Sequence, residues 1–179
     1  MFFVSDIYTT APYEFKAVLQ EKTYRTLQDL HIPFERVDTE EAITMEDCVQ
    51  IEKKLDMKMV KTLFLCNRQQ TAYYLFITAG DKPFRSKEFS NALGVARVSF
   101  APADLMEKML GTKIGAATIF STLLDKDNAV QIVFDKEVAC EEWYGCSDGT
   151  TTGYMKLKTA QIVHDFLPFV KHIPFIVEV

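Results

Sequence analysis

Thr62-Leu63-Phe64-Leu65-Cys66, the polar link Asn67-Arg68-Gln69-Gln70, and Ala72-Tyr73-Tyr74-Leu75-Phe76-Ile77-Thr78-Ala79 form the stretch on which the fold turns. Both apolar runs have strand length and strand composition, and the polar link between them has the character of a hairpin connection. They predict two adjacent antiparallel strands. The pair belongs in the middle of a sheet.

Upstream, Phe15, Val18, Leu19, Leu27 and Leu30 fall on one helical stripe, with Pro12 suited to a first turn. A strand over residues 32–37 follows, then a polar turn at Thr39-Glu40-Glu41. Thr44 can cap a second helix, with Asp47 as a shorter stand-in for the capping-box glutamate and Cys48, Ile51 and Leu55 as its buried stripe. Downstream, residues 86–93 predict a helix stopped by Gly94, and residues 102–110 a helix opened by Pro102 and closed by Gly111. Strands over 130–134, 143–146 and 154–157 precede a closing helix, capped by Thr159 and kinked or ended at Pro168. This irregular order predicts an α+β fold, a mixed, largely antiparallel sheet flanked by helices, rather than a doubly wound one. One domain over residues 1–179 is expected from the length and from 48% hydrophobic content with 14 Phe.

The longest uncharged apolar stretches, 72–80 and 115–124, are about half of the roughly 20 residues that span a bilayer, so no membrane partner is expected. The first thirteen residues lack the features of a secretory signal, and a cytoplasmic location is the expectation. Cys48, Cys66, Cys140 and Cys146 show no C-x-x-C spacing, and His31, His164 and His172 lie far apart. Free thiols and no metal follow. A net charge of -5 argues against tight, sequence-independent nucleic-acid binding, and no DNA partner is expected. Lys53, Lys54, Lys58 and Lys61, with Lys156 and Lys158, are either solvated faces or a few phosphate contacts at a pocket rim.

Chemistry is carried by few segments. Lys61, at the mouth of an apolar run, is either a solubilising gatekeeper or a fixed cation facing a pocket. Gly115-Ala116-Ala117-Thr118-Ile119-Phe120 is small enough for close backbone approach to a ligand and for an oxyanion hole, or is an ordinary buried turn. The glycine- and hydroxyl-rich loop 145–153 has the make-up of a pocket loop and equally of any loop. Cys146, with His164 as base, is the one candidate for a thiol mechanism.

The order of these features resembles the YbaK/ProX family of aminoacyl-tRNA deacylases, which is similar to the editing insertion domain of bacterial prolyl-tRNA synthetases. The resemblance runs from about Thr23 to Val170 and is carried by Lys61-Thr62-Leu63-Phe64-Leu65, by Tyr73-Tyr74-Leu75-Phe76 and, most specifically, by Leu93-Gly94-Val95-Ala96-Arg97-Val98-Ser99-Phe100-Ala101. It implies that Lys61 is the functional lysine and that Gly115 to Phe120 is the family's Gly-x-x-x-Pro-Phe loop, with Ile119 in place of the proline. Thr62 stands where the prolyl branch often carries asparagine, Ser147-Asp148 where it carries a late His-Pro, and Thr39 where a histidine is expected.

The resemblance also implies a trans-editing deacylase that needs no cofactor and acts on the aminoacyl-tRNA 3′ end, with alanyl- or cysteinyl-tRNA for proline as the first substrates to try and a synthetase as a further partner. Editing answers the inability of a synthetase pocket to reject a near-isosteric amino acid. In it, Lys61 orients the substrate and the Gly115 loop amides hold the oxyanion, with water as nucleophile. Thr44, Thr62, Ala116, Thr118, Phe120, Ser147, Thr151 and Thr152 are the substrate-binding candidates. Lys61, Gly115 and the loop from Ser147 to Thr152 are expected to line one pocket. The rival reading is a non-catalytic module that binds aminoacyl-tRNA or a related nucleotide.

Overall fold

In the computed structural model, which describes residues 1–42 and 44–179, the first helix α1 (Val18–Asp29) starts at Val18, beyond Pro12. Strand β1 (Glu35–Asp38) follows, then α2 (Met45–Leu55). Both halves of the capping box are present at α2: the Asp47 amide donates to Thr44 Oγ1 at 3.2 Å, and the Thr44 amide to Asp47 Oδ2 at 3.0 Å. The shorter aspartate therefore still reaches.

The hairpin forms as read, with β2 (Val60–Asn67) antiparallel to β3 (Tyr73–Ala79) and Leu63 opposite Phe76. Helix α3 (Ser86–Leu93) ends at Gly94, φ 70°, a left-handed conformation that glycine adopts without a Cβ clash. A short strand absent from the sequence reading, β4 (Val98–Phe100), pairs with β2 inside the most specific motif of the resemblance. After α4 (Ala103–Leu110), a 3-10 turn (Ile119–Leu123) leads to β5 (Val130–Asp135), a one-turn α5 (Lys136–Ala139), β6 (Trp143–Ser147) and β7 (Gly153–Lys158). The last strand is β8 (Phe175–Val177), three residues too short to stand out in the sequence.

The closing helix corrects one expectation. Lys158, not Thr159, occupies the cap, and Thr159 Oγ1 is buried without a partner among the described residues. Pro168 disturbs and closes the helix as expected, since the helix ends one residue later at Phe169. Ile162–Phe166 widens to a π-helical turn before Leu167–Phe169, which makes room for a ring that has no amide proton to give.

The strands form two sheets, β1-β7-β6 and β4-β2-β3-β5-β8, the latter mixed because β5 runs parallel to both β3 and β8. Strand alternation gives the larger sheet two apolar faces. Phe64, Cys66, Leu75 and Ile77 pack against Tyr144, Cys146, Met155 and Leu157 of the smaller sheet, together with Tyr24 and Leu27 of α1. Leu65, Tyr74 and Phe76 pack on the opposite face against Phe89 of α3, with the Phe76 and Phe89 rings 4.8 Å apart. Helix α2 covers the outer face of the smaller sheet through Ile51 and Leu55. Among the described residues, no helix is long and apolar enough to cross a membrane.

Candidate functional site

The turn between β6 and β7 is built around a buried carboxylate. Asp148 is 1% exposed and takes four hydrogen bonds. Gln20 Nε2 and Tyr24 Oη donate to its Oδ2 at 2.9 and 2.8 Å, while the Thr150 amide and hydroxyl donate to Oδ1 at 3.2 and 2.7 Å. Gln20 and Tyr24 lie one helical turn apart on the buried face of α1, which brings both donors to one acceptor. Burial first, and then the Asp148 charge, push the Tyr24 phenol far above its ordinary range, so it stays a donor. Two glycines make the wrap possible. Gly149 sits at φ 98° with Leu19 where a side chain would project, and a Cβ on Gly153 would strike the Asp148 carboxylate itself. Ser147 closes the turn, its hydroxyl donating to the Thr150 carbonyl at 2.6 Å and accepting from the Gly149 amide at 3.1 Å.

This turn forms one wall of a cleft of about 420 Å³, whose other walls are the chain entering α1 and the segment from Glu107 of α4 to Ala116. Lys16 and Lys113 bring positive charge to it, and Lys16 Nζ donates to Thr152 Oγ1 at 2.8 Å. Thr112 also lines it. That residue is 3% exposed, and its hydroxyl has no hydrogen-bond partner among the described residues. Gly115, at φ 91°, sits in an exposed turn closed by the Ala116 amide on the Lys113 carbonyl at 3.0 Å. The Ala116 amide is thereby occupied, whereas those of Gly115 and Ala117 meet no backbone oxygen among the described residues.

The structure gathers only part of the expected set. Ala116, Thr151 and Thr152 line the cleft, and Gly115 adjoins it. Thr118 and Phe120 are fully buried, the former capping the 3-10 turn and the latter packed on Phe166 at 5.1 Å. Ser147 is spent on the turn, and Thr44 on capping α2. The expectation of a single pocket fails at Lys61, whose ammonium donates to the Lys82 carbonyl. It shares a face with Thr78, Leu63 and Leu65, across the sheet from the cleft. Because successive residues of a strand point to opposite faces, Thr62 and Lys61 cannot both enter one pocket. Thr62 lies on the face that packs toward the smaller sheet, opposite Ile77.

The remaining candidates have other settings. Burial drives the Cys146 thiol upward, away from the thiolate a nucleophile needs, and His164 is exposed. Lys156 is buried with its ammonium 4.4 Å from the Trp143 ring centre and 3.7 Å from Glu35. Sequence reasoning did not find Lys16, Glu107, Thr112 or Lys113 as cleft residues, nor Asp148 as the centre of the turn. One signal was available: Gln20 and Tyr24 are polar residues four apart on the apolar stripe of a helix, and such groups need a buried partner.

Residues 39–164 match the family model described as the aminoacyl-tRNA editing domain. That span includes Lys61, the Gly115 loop and the β6–β7 turn but not α1. The chain is 29% identical over 112 residues to the prolyl-tRNA editing protein ProX of Acetoanaerobium sticklandii, covering 63% of this chain and 68% of that one. Its fold is like that of the hypothetical protein APE2540, with a TM-score of 0.65 and 13% identity over 87% of this chain and 98% of the other. It is equally like a proposed trans-editing enzyme for prolyl tRNA synthetase, with a TM-score of 0.65 and 11% identity over 92% and 99%. These two structural likenesses speak to the fold alone.

Proposed function

Because this chain belongs to the family of aminoacyl-tRNA editing domains, we propose that it is a trans-acting deacylase that clears alanyl or cysteinyl esters from the tRNA for proline. The observation that carries this reading is the cleft, where two lysines and a hydrogen-bonded, hydroxyl-rich turn line one volume of about 420 Å³. That volume falls in the range of about 300–1,000 Å³ typical of ligand sites. The name of the ProX relative supports proline as the tRNA identity.

In the proposed reaction a water oxygen bonds to the ester carbonyl carbon. The bond from that carbon to the ribose oxygen breaks, and the proton of the water ends on the ribose oxygen. The Gly115 and Ala117 amides are the donors proposed for the oxyanion, since the Ala116 amide already closes its turn. Lys16 and Lys113 hold terminal phosphates, and the neighbouring 2′-hydroxyl of the tRNA assists the water. The functional part that resemblance gives Lys61 requires its ammonium to leave the Lys82 carbonyl and round the end of the sheet. A synthetase would supply the mischarged substrate.

The scattering of Lys61, Thr118 and Phe120 away from the cleft favours the rival reading, a module that binds aminoacyl-tRNA without turnover. Hydrolysis of a panel of mischarged tRNAs, with alanyl- and cysteinyl-tRNA for proline first, separates the two. A deacylase turns over many equivalents. A binding module protects the ester in proportion to its own concentration, and that result would sink the proposal.

A further inference from the structure

The polar groups of the cleft differ in what they offer a ligand. Lys16 and Lys113 carry only donors, and Lys16 is already placed on Thr152. Thr150 is different. Its hydroxyl proton is committed to Asp148 Oδ1 at 2.7 Å, and one of its two lone pairs meets the Thr152 amide at 3.3 Å. One lone pair is left. The polarity cannot reverse, because Asp148 is itself fixed by Gln20 and Tyr24 beneath the turn and, as a carboxylate, only accepts. Across the cleft from the turn, Glu107 of α4 is the one carboxylate among the described lining residues. The lining of the cleft therefore holds two residues whose side chains can accept and do not donate.

We propose that Thr150 and Glu107 form an ammonium subsite that accepts hydrogen bonds from the free α-amino group of the aminoacyl ester, so that the site takes unblocked aminoacyl esters and refuses N-acylated or peptidyl ones. This rests on the deacylase reading, which puts the aminoacyl group in the cleft. A protonated α-amine has three donors and one positive charge, and acceptors with no competing proton suit it. Acylation removes the charge and leaves one donor on a bulkier nitrogen. Asp148 acts here as a positioning residue through Thr150.

Binding can be read without turnover, using 3′-deoxy-3′-(alanylamino)adenosine and its N-acetyl counterpart in calorimetry. Wild type is expected to hold the free amine at least about tenfold more tightly, the scale of one hydrogen bond to a charged group. Thr150→Val and Glu107→Gln should each bring that ratio toward one, whereas Thr150→Ser, which keeps the hydroxyl, should preserve it. In hydrolysis of alanyl-tRNA the same two losses should raise KM with little change in kcat, as expected where binding alone is reduced. Equal affinity of wild type for the two analogues, or binding of neither, overturns the subsite. So does an unchanged ratio in both Thr150→Val and Glu107→Gln proteins that melt like wild type. Preference for the free amine with no hydrolysis of any aminoacyl-tRNA would keep the subsite and defeat the deacylase. Equal hydrolysis of alanyl-tRNA and N-acetylalanyl-tRNA would do the reverse.

Discussion

On one face of the five-stranded sheet, Thr62, Phe64 and Cys66 run toward the smaller sheet, α1 and the cleft; on the other, Lys61, Leu63 and Leu65 run toward α3. Each side has a buried carboxylate at its polar end. Asp148 accepts from neutral donors and a backbone amide, and so shapes a turn beside open volume. Asp135 accepts from Thr78 Oγ1 at 2.8 Å and from the Lys82 ammonium at 2.9 Å, beside the carbonyl that takes Lys61. The second arrangement neutralises charge and ties strands together, whereas the first leaves hydroxyls and lysines turned toward a cleft. A lysine on a strand is thus assigned by its face, and neighbouring positions in one motif can serve opposite sides of a sheet.

The largest effect is expected at Asp148. Asp148→Ala would leave the Gln20 amide and the Tyr24 hydroxyl buried without an acceptor, a loss of about 3 kcal/mol at roughly 1 to 3 kcal/mol per orphaned group. Denaturant unfolding should record it, together with loss of deacylation. A change under about 0.5 kcal/mol, the size of an ordinary surface substitution, would show that the turn does not depend on its carboxylate.

The next contrast sets Lys16 against Lys61. Lys16→Ala is expected to lower kcat/KM about tenfold by removing one charged contact. Lys61→Ala should lower it by less and act mainly on the melting temperature, through the lost tie to Lys82. Single-turnover hydrolysis with melting curves decides it. A loss of about 10² to 10³ at Lys61→Ala with unchanged melting, the scale of a lost preorganised electrostatic contact, would bring Lys61 into the chemistry and break the division between faces.

Smaller effects sharpen each side. Gly115 has open space where a Cβ would stand, so Gly115→Ala should cost only the strain of positive φ, about 1–2 kcal/mol. Hydrogen bonding to Asp135 raises the Lys82 pKa, with burial opposing it and the charges of Asp135 and Glu137 adding to it. A raised lysine pKa gives stability that is complete below the unfolded-state value and is lost as pH rises through the folded-state value. Stability should therefore fall on that alkaline limb, and Lys82→Met should flatten it by under about 1 kcal/mol, the scale of a partly exposed pair. An identical limb in the variant would remove Lys82 from the account. Alkylation should spare Cys146, buried and protonated, until the protein unfolds, while exposed Cys140 reacts in the native state.

Most of the elements were legible from local signals because their causes are local. Thr44 and Asp47 capped α2 as expected, Gly94 and Gly111 ended α3 and α4, and the apolar runs of β2 and β3 paired through their short link. β4 and β8 escaped because three residues carry no periodicity, and both exist only because a neighbouring strand offers an edge. Pro168 was legible from its own chemistry: the helix widens to a π-turn just before the ring and ends one residue after it.

The site divided in the same way. Sequence alone marked two loops that border the cleft, Gly115 with Ala116 and the run Ser147 to Thr152, because glycines and hydroxyls betray a backbone with special demands. It also carried the family, through motifs spread along most of the chain. Tertiary structure alone decided which of those residues share a volume. Strand alternation sent Lys61 and Thr62 to opposite faces, close packing drew Thr118 and Phe120 inside, and the docking of α1 brought Lys16, Gln20 and Tyr24 to a turn more than a hundred residues away. Those contacts join groups with no local reason to meet, and for Gln20 and Tyr24 it is a buried carboxylate in need of donors that puts them together.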